Sequence, residues 1–337
     1  MIIFSISAGS NIGIGHVRRC IQLAKILRTR NLDTIFFLPP DQESLRFLDE
    51  AQVKYVISTD DFSIQDFIRQ CESAKVIVLD LLDADRKYTS KIKSADQALK
   101  ILALDFFDMV DENIDVVINL YNHSPILKLP VNRRVKYLEG PRYGIVREEF
   151  KKLVGVEKGP VGLNPKVLVT FGGSDPRKHT LSVIPVLAAV KGKTGCEISV
   201  VIGPNFSHTE SVITALTQFL PDTEIFKSPD DMASLMFTAD ICICGSGTTI
   251  LELATIATPA VIIPQSDEEL KFSSLFAEAG FAVAAGTPDG LDSEALEIAL
   301  LELLNTPETI PGRGSKGRQL CDGLGADRIV DEIMALL

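Results

Sequence analysis

The chain alternates short apolar runs with stretches in which apolar side chains recur at helical spacing. In the first half the runs fall at residues 2–7, 34–38, 53–57, 76–80, 101–104 and 116–119, most of them separated by enough chain for a helix. After a Gly- and Pro-rich stretch at residues 155–166 the pattern restarts, with runs at 167–171, 198–202, 224–226, 241–244 and 260–263. Short continuous apolar runs suit strands buried on both faces, and strand–helix alternation builds a parallel sheet covered by helices on both sides. The first helix shows the logic: Val17, Cys20, Ile21, Ala24 and Leu27 fall on one stripe, while Arg18, Gln22 and Lys25 point elsewhere. The pattern predicts an α/β protein of two Rossmann-like domains, residues 1–150 and 166–337, with a linker at 151–165 and a last helix able to pack back on the N-terminal domain. Ligands of such sheets bind beyond the carboxyl ends of the strands, so the two parallel sheets are expected to face a cleft.

Composition narrows the function classes. At 337 residues, 46% hydrophobic and 23% charged, the chain reads as an ordinary globular protein long enough for two cores. Its net charge of -11 speaks against a sequence-independent grip on nucleic acid or an anionic membrane, so an anionic ligand must be held locally. No apolar run has the length of a membrane span, and the N-terminus lacks the basic region and cleavage site of a signal peptide, which predicts a cytoplasmic protein without a transmembrane segment. Cys20, Cys71, Cys196, Cys242, Cys244 and Cys321 form no C-x-x-C pair and read as reduced thiols rather than metal ligands. No metal and no cofactor are expected.

Three glycine-rich turns between a strand and a helix carry the candidate chemistry. The first, "SAGSNIGIGHVRRC", places Gly13 and Gly15 before His16. It is not a dinucleotide fingerprint, because the third glycine position of G-x-G-x-x-G holds Arg18 and the second strand does not end in an acidic residue. What remains is a tight turn that delivers His16 to the first turn of a helix. There it either helps satisfy the helix terminus or, kept neutral by the positive end of the helix, accepts a proton.

The second turn, "VLVTFGGSDPRKH", carries Gly172, Gly173, Ser174 and Asp175, with Pro176 at the expected first helical position. The third, "ICICGSGTTILELA", carries Ser246, Gly247, Thr248 and Thr249, whose N–H groups and hydroxyls would form an anion cradle that suits a diphosphate. Neither continues into G-K-[ST], which disfavours ATP-driven phosphoryl transfer. Glu252, three residues after Thr249, either closes a capping box on Thr249 or accepts hydrogen bonds from ribose hydroxyls.

The stretches "IGIGHVRRC", "GPRYGIVREEF", "FGGSDP" and "SPDDMASLMFTADICICGSGTTILELATIATPAVIIP", in this order, resemble the UDP-sugar hydrolases of pseudaminic acid biosynthesis. Those enzymes are relatives of the GT-B transferases, which include the enzyme that makes lipid II from UDP-GlcNAc. The resemblance implies a GT-B-like fold that holds a UDP-sugar, with His16 as base and with Gly15 and Arg19 shaping its loop. It further implies that Gly172, Gly173, Ser174, Asp175, Ser246, Gly247, Thr248 and Thr249 hold the diphosphate and neighbouring groups. Glu252 would take the ribose, backbone near Phe226 the uracil, and Asn119 a place near the sugar.

The departures from that family fall on the sugar side. The usual Arg-x-Asp at the end of the first strand is Ser5-Ile-Ser7, and Asp-x-Tyr after the fourth strand is Asp80-Leu81-Leu82, so Asp80 stays while a tyrosine is missing. An Asn-Gln pair aligns with Glu268-Glu269, which either reads donor groups on the sugar or forms an ordinary acidic helix start.

Three activities follow from the resemblance. A nucleotide-sugar hydrolase would use His16 to activate water, with inversion at the anomeric carbon, in nonulosonic acid or surface polysaccharide biosynthesis. An inverting GT-B glycosyltransferase would use the same histidine on an acceptor hydroxyl. The third is a non-catalytic nucleotide-sugar-binding protein.

Overall fold

The computed structural model describes residues 1–9, 14–82, 86–105, 112–120 and 135–337. Gly13 lies outside the described residues. The chain divides into two compact units, Met1–Arg147 with Leu324–Leu337, and Glu148–Gly323.

In the first unit the elements run β1 (Ile2–Ile6), α1 (Gly15–Thr29), β2 (Thr34–Leu38), α2 (Gln42–Glu50), β3 (Lys54–Ile57), α3 (Ile64–Gln70), β4 (Val76–Asp80), α4 (Arg86–Ala95), β5 (Lys100–Leu104), β6 (Val116–Asn119) and β7 (Lys136–Glu139). All seven strands pair in parallel in the order β3-β2-β1-β4-β5-β6-β7. The order reverses between β1 and β4, and a crevice at the carboxyl ends of strands on either side of such a reversal is where ligands of open α/β sheets bind. Every residue of the predicted α1 stripe is buried. β7 was not predicted, because Lys136-Tyr-Leu-Glu139 has polar ends and lies at the sheet edge.

The second unit starts with the single turn α5 (Glu148–Lys151), so the stretch expected as a linker counts with this unit. It continues through β8 (Lys166–Thr170), α6 (His179–Thr194), β9 (Glu197–Ile202), α7 (Thr209–Phe219), β10 (Glu224–Lys227), α8 (Met232–Thr238) and β11 (Ile241–Cys244). Then come α9 (Thr248–Thr255), β12 (Ala260–Ile262), α10 (Asp267–Glu278), β13 (Ala282–Ala284), the hairpin β14 (Gly286–Thr287) and β15 (Gly290–Leu291), α11 (Ser293–Asn305) and α12 (Ile310–Leu320). Its six-stranded sheet has the order β10-β9-β8-β11-β12-β13, again wholly parallel. Here the reversal lies between β8 and β11, the strands that lead into the second and third glycine turns.

The last helix, α13 (Gly325–Ala335), returns to the first unit. Its Ala326, Ile329, Val330 and Ile333 join the core formed by Ile2, Phe4, Val17, Cys20 and Leu27. Only glycine fits at its start: a Cβ on Gly325 would stand 2.2 Å from the Gly144 carbonyl oxygen and 2.5 Å from the Tyr143 carbonyl carbon.

Candidate functional site

Four polar side chains meet at the carboxyl ends of β1, β4 and β5. His16 is the second residue of α1, whose N-cap Ile14 makes no side-chain cap bond. Its Nδ1 lies 2.6 Å from Oδ1 of Asp80, the last residue of β4, which is completely buried. One helical turn on, Arg19 donates from Nε to Asp80 Oδ2 at 2.6 Å and from Nη2 to Asp80 Oδ1. Its Nη1 donates to Asp105, which also accepts from the Leu120 N–H at 2.8 Å.

Burial alone would push the Asp80 carboxyl up, but the charge and hydrogen bonds of Arg19, then those of His16, hold it well below the usual carboxylate range. Asp80 is therefore ionised and can only accept. This assigns the proton of neutral His16 to Nδ1 and leaves the lone pair on Nε2. The 3.2 Å approach of Arg19 Nη2 to the same Nδ1 is then a contact between two donors rather than a bond. To the helix terminus the structure adds a carboxylate that fixes the tautomer, the arrangement that orients a general base in hydrolytic triads.

Asp80 thus holds the histidine, and its lack of exposure withdraws it from the set of groups that touch a ligand. Asp105 was not singled out in the sequence. Burial first, then the neighbouring Asp80 charge, raises its carboxyl against the opposing pull of Arg19. Cys20 donates from Sγ to Asp80 Oδ2 at 3.3 Å, and burial pushes its thiol up. Asn119 is fully buried at the end of β6, where Nδ2 donates to Tyr137 Oη at 3.3 Å. Ser5 meets Tyr88 of α4, whose hydroxyl lies 2.7 Å from the serine Oγ and is pushed up to about 12 by burial.

In the second unit the turn after β8 differs from expectation. α6 begins at His179, not at Pro176, because Asp175 and Lys178 adopt left-handed backbone angles and the intervening residues stay in the turn. The buried Asp175 carboxylate accepts from the His179 N–H at 2.8 Å and the Thr180 N–H at 2.9 Å, with His208 Nε2 3.3 Å away. The chain's own carboxylate therefore fills the α6 terminus, and Asp175 cannot itself offer a donor to a phosphate. Gly172, Gly173 and Ser174 remain exposed in the same turn. Their backbone runs so close to Gly203 that a Cβ there would stand 2.3 Å from the Gly172 carbonyl oxygen and 2.5 Å from that of Gly173.

The turn after β11 keeps its free donors. α9 starts at Thr248 with Gly247 as N-cap and no side-chain cap, so the capping box between Thr249 and Glu252 does not form. The Thr248 and Thr249 N–H groups and hydroxyls have no partner among the described residues. Glu252 lies one turn into the helix, only 5% exposed. Ser246 is turned away: its hydroxyl donates to the Glu269 carbonyl at 3.0 Å, and its N–H donates to Glu269 Oε2 at 3.1 Å. The Gln265 N–H donates to the same oxygen at 2.9 Å. Glu268 and Glu269 stand in the acidic first turn of α10, capped by Ser266. Phe226 lies on β10, an edge strand with one side of its backbone unpaired by the sheet. No group of His, Cys, Asp and Glu among the described residues is arranged to hold a metal ion.

Two parallel α/β units of this kind define the GT-B-like fold. Residues 167–313 match the glycosyltransferase family 28 C-terminal domain. The spore coat polysaccharide biosynthesis protein SpsG of Bacillus subtilis is 25% identical over 320 residues, covering 94% of this chain and 93% of that protein. Protein MJ1062 of Methanocaldococcus jannaschii is 28% identical over 284 residues, 79% of this chain, which spans only 56% of that relative's length. Among solved structures, Anabaena Alr3699/HepE in complex with UDP shares the fold at a TM-score of 0.67 and 14% identity, with 100% of both chains covered.

Proposed function

We propose that this protein is a nucleotide-sugar hydrolase acting on a UDP-sugar in nonulosonic acid or surface polysaccharide biosynthesis in the cytoplasm. The observation that carries the reading is the 2.6 Å bond between His16 Nδ1 and buried Asp80, which leaves Nε2 free to take a proton. In the reaction Nε2 removes a proton from water, and the water oxygen attacks the anomeric carbon from the face opposite the leaving group. The bond from that carbon to the phosphate oxygen breaks, UDP departs with the electron pair, and the configuration inverts. Asp80 stabilises the imidazolium that forms.

The N–H groups and hydroxyls of Thr248 and Thr249, at the positive end of α9, receive the charge of the diphosphate, aided by the exposed turn of Gly172, Gly173 and Ser174. Glu252 takes the ribose hydroxyls and the free backbone edge near Phe226 takes the uracil. The match to a glycosyltransferase domain supports nucleotide-sugar use, the SpsG likeness supports a role in polysaccharide biosynthesis, and the UDP bound by the HepE structure supports the choice of base.

The family 28 match also favours a second reading, an inverting glycosyltransferase in which His16 deprotonates an acceptor hydroxyl. Incubation with a panel of nucleotide-sugars in the absence of acceptor separates the two. Steady release of nucleotide with an inverted anomer supports the hydrolase. Tight donor binding without release points to the transferase, and neither binding nor release overturns both.

A further inference from the structure

Among the described residues, the cluster around His16 holds more carboxylates than guanidinium groups. One guanidinium, Arg19, bridges two carboxylates, Asp80 and Asp105, both almost fully buried. With both carboxylates ionised, these described groups carry one excess negative charge, which a proton arriving on His16 offsets. If Asp105 were neutral, Arg19 would lean further on Asp80, competing with His16 for the same Oδ1 that Nη2 already touches. Asp105 is held for this purpose at some cost. Its backbone has φ +50° and its Oδ1 is anchored by the Leu120 N–H. Among the described residues, the titratable or charged groups facing it are Arg19 and Cys20 of α1, Asp80 of β4 and Tyr137 of β7.

We propose that Asp105 is a positioning residue for the His16 base: it draws Arg19 away from Asp80, so that Asp80 keeps the negative charge that steadies His16 when it takes a proton. The inference rests on the reading of His16 as base, but its test does not depend on turnover alone. In Asp105→Asn the side chain keeps its shape and loses its charge. Turnover should fall about 10–100-fold, the loss typical when the group behind a reacting one is removed, with KM little changed.

The substrate-free readout is the downfield NMR resonance of the His16 Nδ1–H, which reports its bond to Asp80. It should move upfield in Asp105→Asn and return in Asp105→Glu. If Asp105→Asn does not fold, Asp105→Glu against Asp105→Gln makes the same comparison at equal length. Unchanged resonance and turnover in the neutral variants overturn the inference. If the wild type releases nucleotide from no donor, the hydrolase reading has failed by itself. The resonance then decides: an upfield shift supports the role of Asp105, and no shift overturns it.

Discussion

Glu269 holds the backbone of Ser246 across 23 residues of sequence, accepting its N–H at 3.1 Å. The carboxylate occupies the turn just ahead of α9 with one oxygen, Oε2, which also takes the Gln265 N–H. The other oxygen, Oε1, lies where a Cβ on Gly247 would be 3.5 Å away, beside the start of the helix that offers Thr248 and Thr249. An acceptor fixed there favours a ligand that brings a donor, either a hydroxyl or a charged amino group, over one that brings an acetamido carbonyl. Wild type should therefore turn over an amino- or hydroxyl-bearing UDP-sugar in preference to the matched acetamido sugar, and E268N/E269Q should reduce that preference. Competition assays with paired sugars check this, and an acetamido preference that survives the double substitution would sink it.

His16→Asn should leave UDP affinity intact and lower turnover by about 10²–10⁴-fold, because it removes the proton acceptor but no group of the phosphate turn. Calorimetric titration with UDP beside a nucleotide-release assay separates the two effects. Undiminished turnover would show that another group is the base.

Asp80→Asn tests the orientation of His16 and also has a signature in stability. The Asp80 carboxyl is lowered in the folded protein, so its contribution is fully present above the unfolded value near 3.9 and is lost as pH falls toward the folded value. At pH 7 the variant leaves the Arg19–His16 pair short of a partner and should lose about 3–5 kcal/mol. Thermal melts of both proteins from pH 7 down to about pH 3 should show the gap between them narrowing below about pH 4. A gap that stays constant with pH would mean that the charge of Asp80 is not what stabilises the fold.

Much of the scaffold can be read from the chain, because a strand buried on both faces must be apolar throughout. Runs such as Ile2-Ile3-Phe4 and Val76-Ile77-Val78 have no other simple reading. β7 and the three-residue β13 escaped, since edge position and shortness remove that requirement. The candidate site is legible where a turn announces itself, at His16 and at Thr248-Thr249. It is not legible at Asp105, the distant acid that joins Asp80 on Arg19. Asp105 reads as an ordinary loop acid until β4 and β5 lie side by side, although both strands show the same signal, an apolar run closed by Asp. The carboxylates of Asp175 and Glu269 look like helix-start residues, and only the folded backbone reveals which N–H groups they consume.

The capping box between Thr249 and Glu252 does not form, since α9 starts at Thr248 with Gly247 as N-cap. On the proposed ribose role, Glu252→Gln should weaken UDP binding by about 1.5–3 kcal/mol, the loss of a charge-assisted hydrogen bond, without the fall in melting temperature that a lost cap would bring. Titration with UDP and with free uridine, alongside melting curves, checks it. A lower melting temperature with unchanged affinity would return Glu252 to a structural role.

The return of α13 to the first unit carries a consequence for how the protein is made. Residues 1–147 leave the ribosome first, yet the core they form with Ile329, Val330 and Ile333 stays uncovered until the chain through Ala335 has been synthesised. The second unit, Glu148–Gly323, is contiguous and can finish folding while the older one is still waiting. The half that carries His16 is thus the last to be completed, and a nascent chain stalled before α13 would expose apolar surface to chaperones and proteases with its second unit already intact.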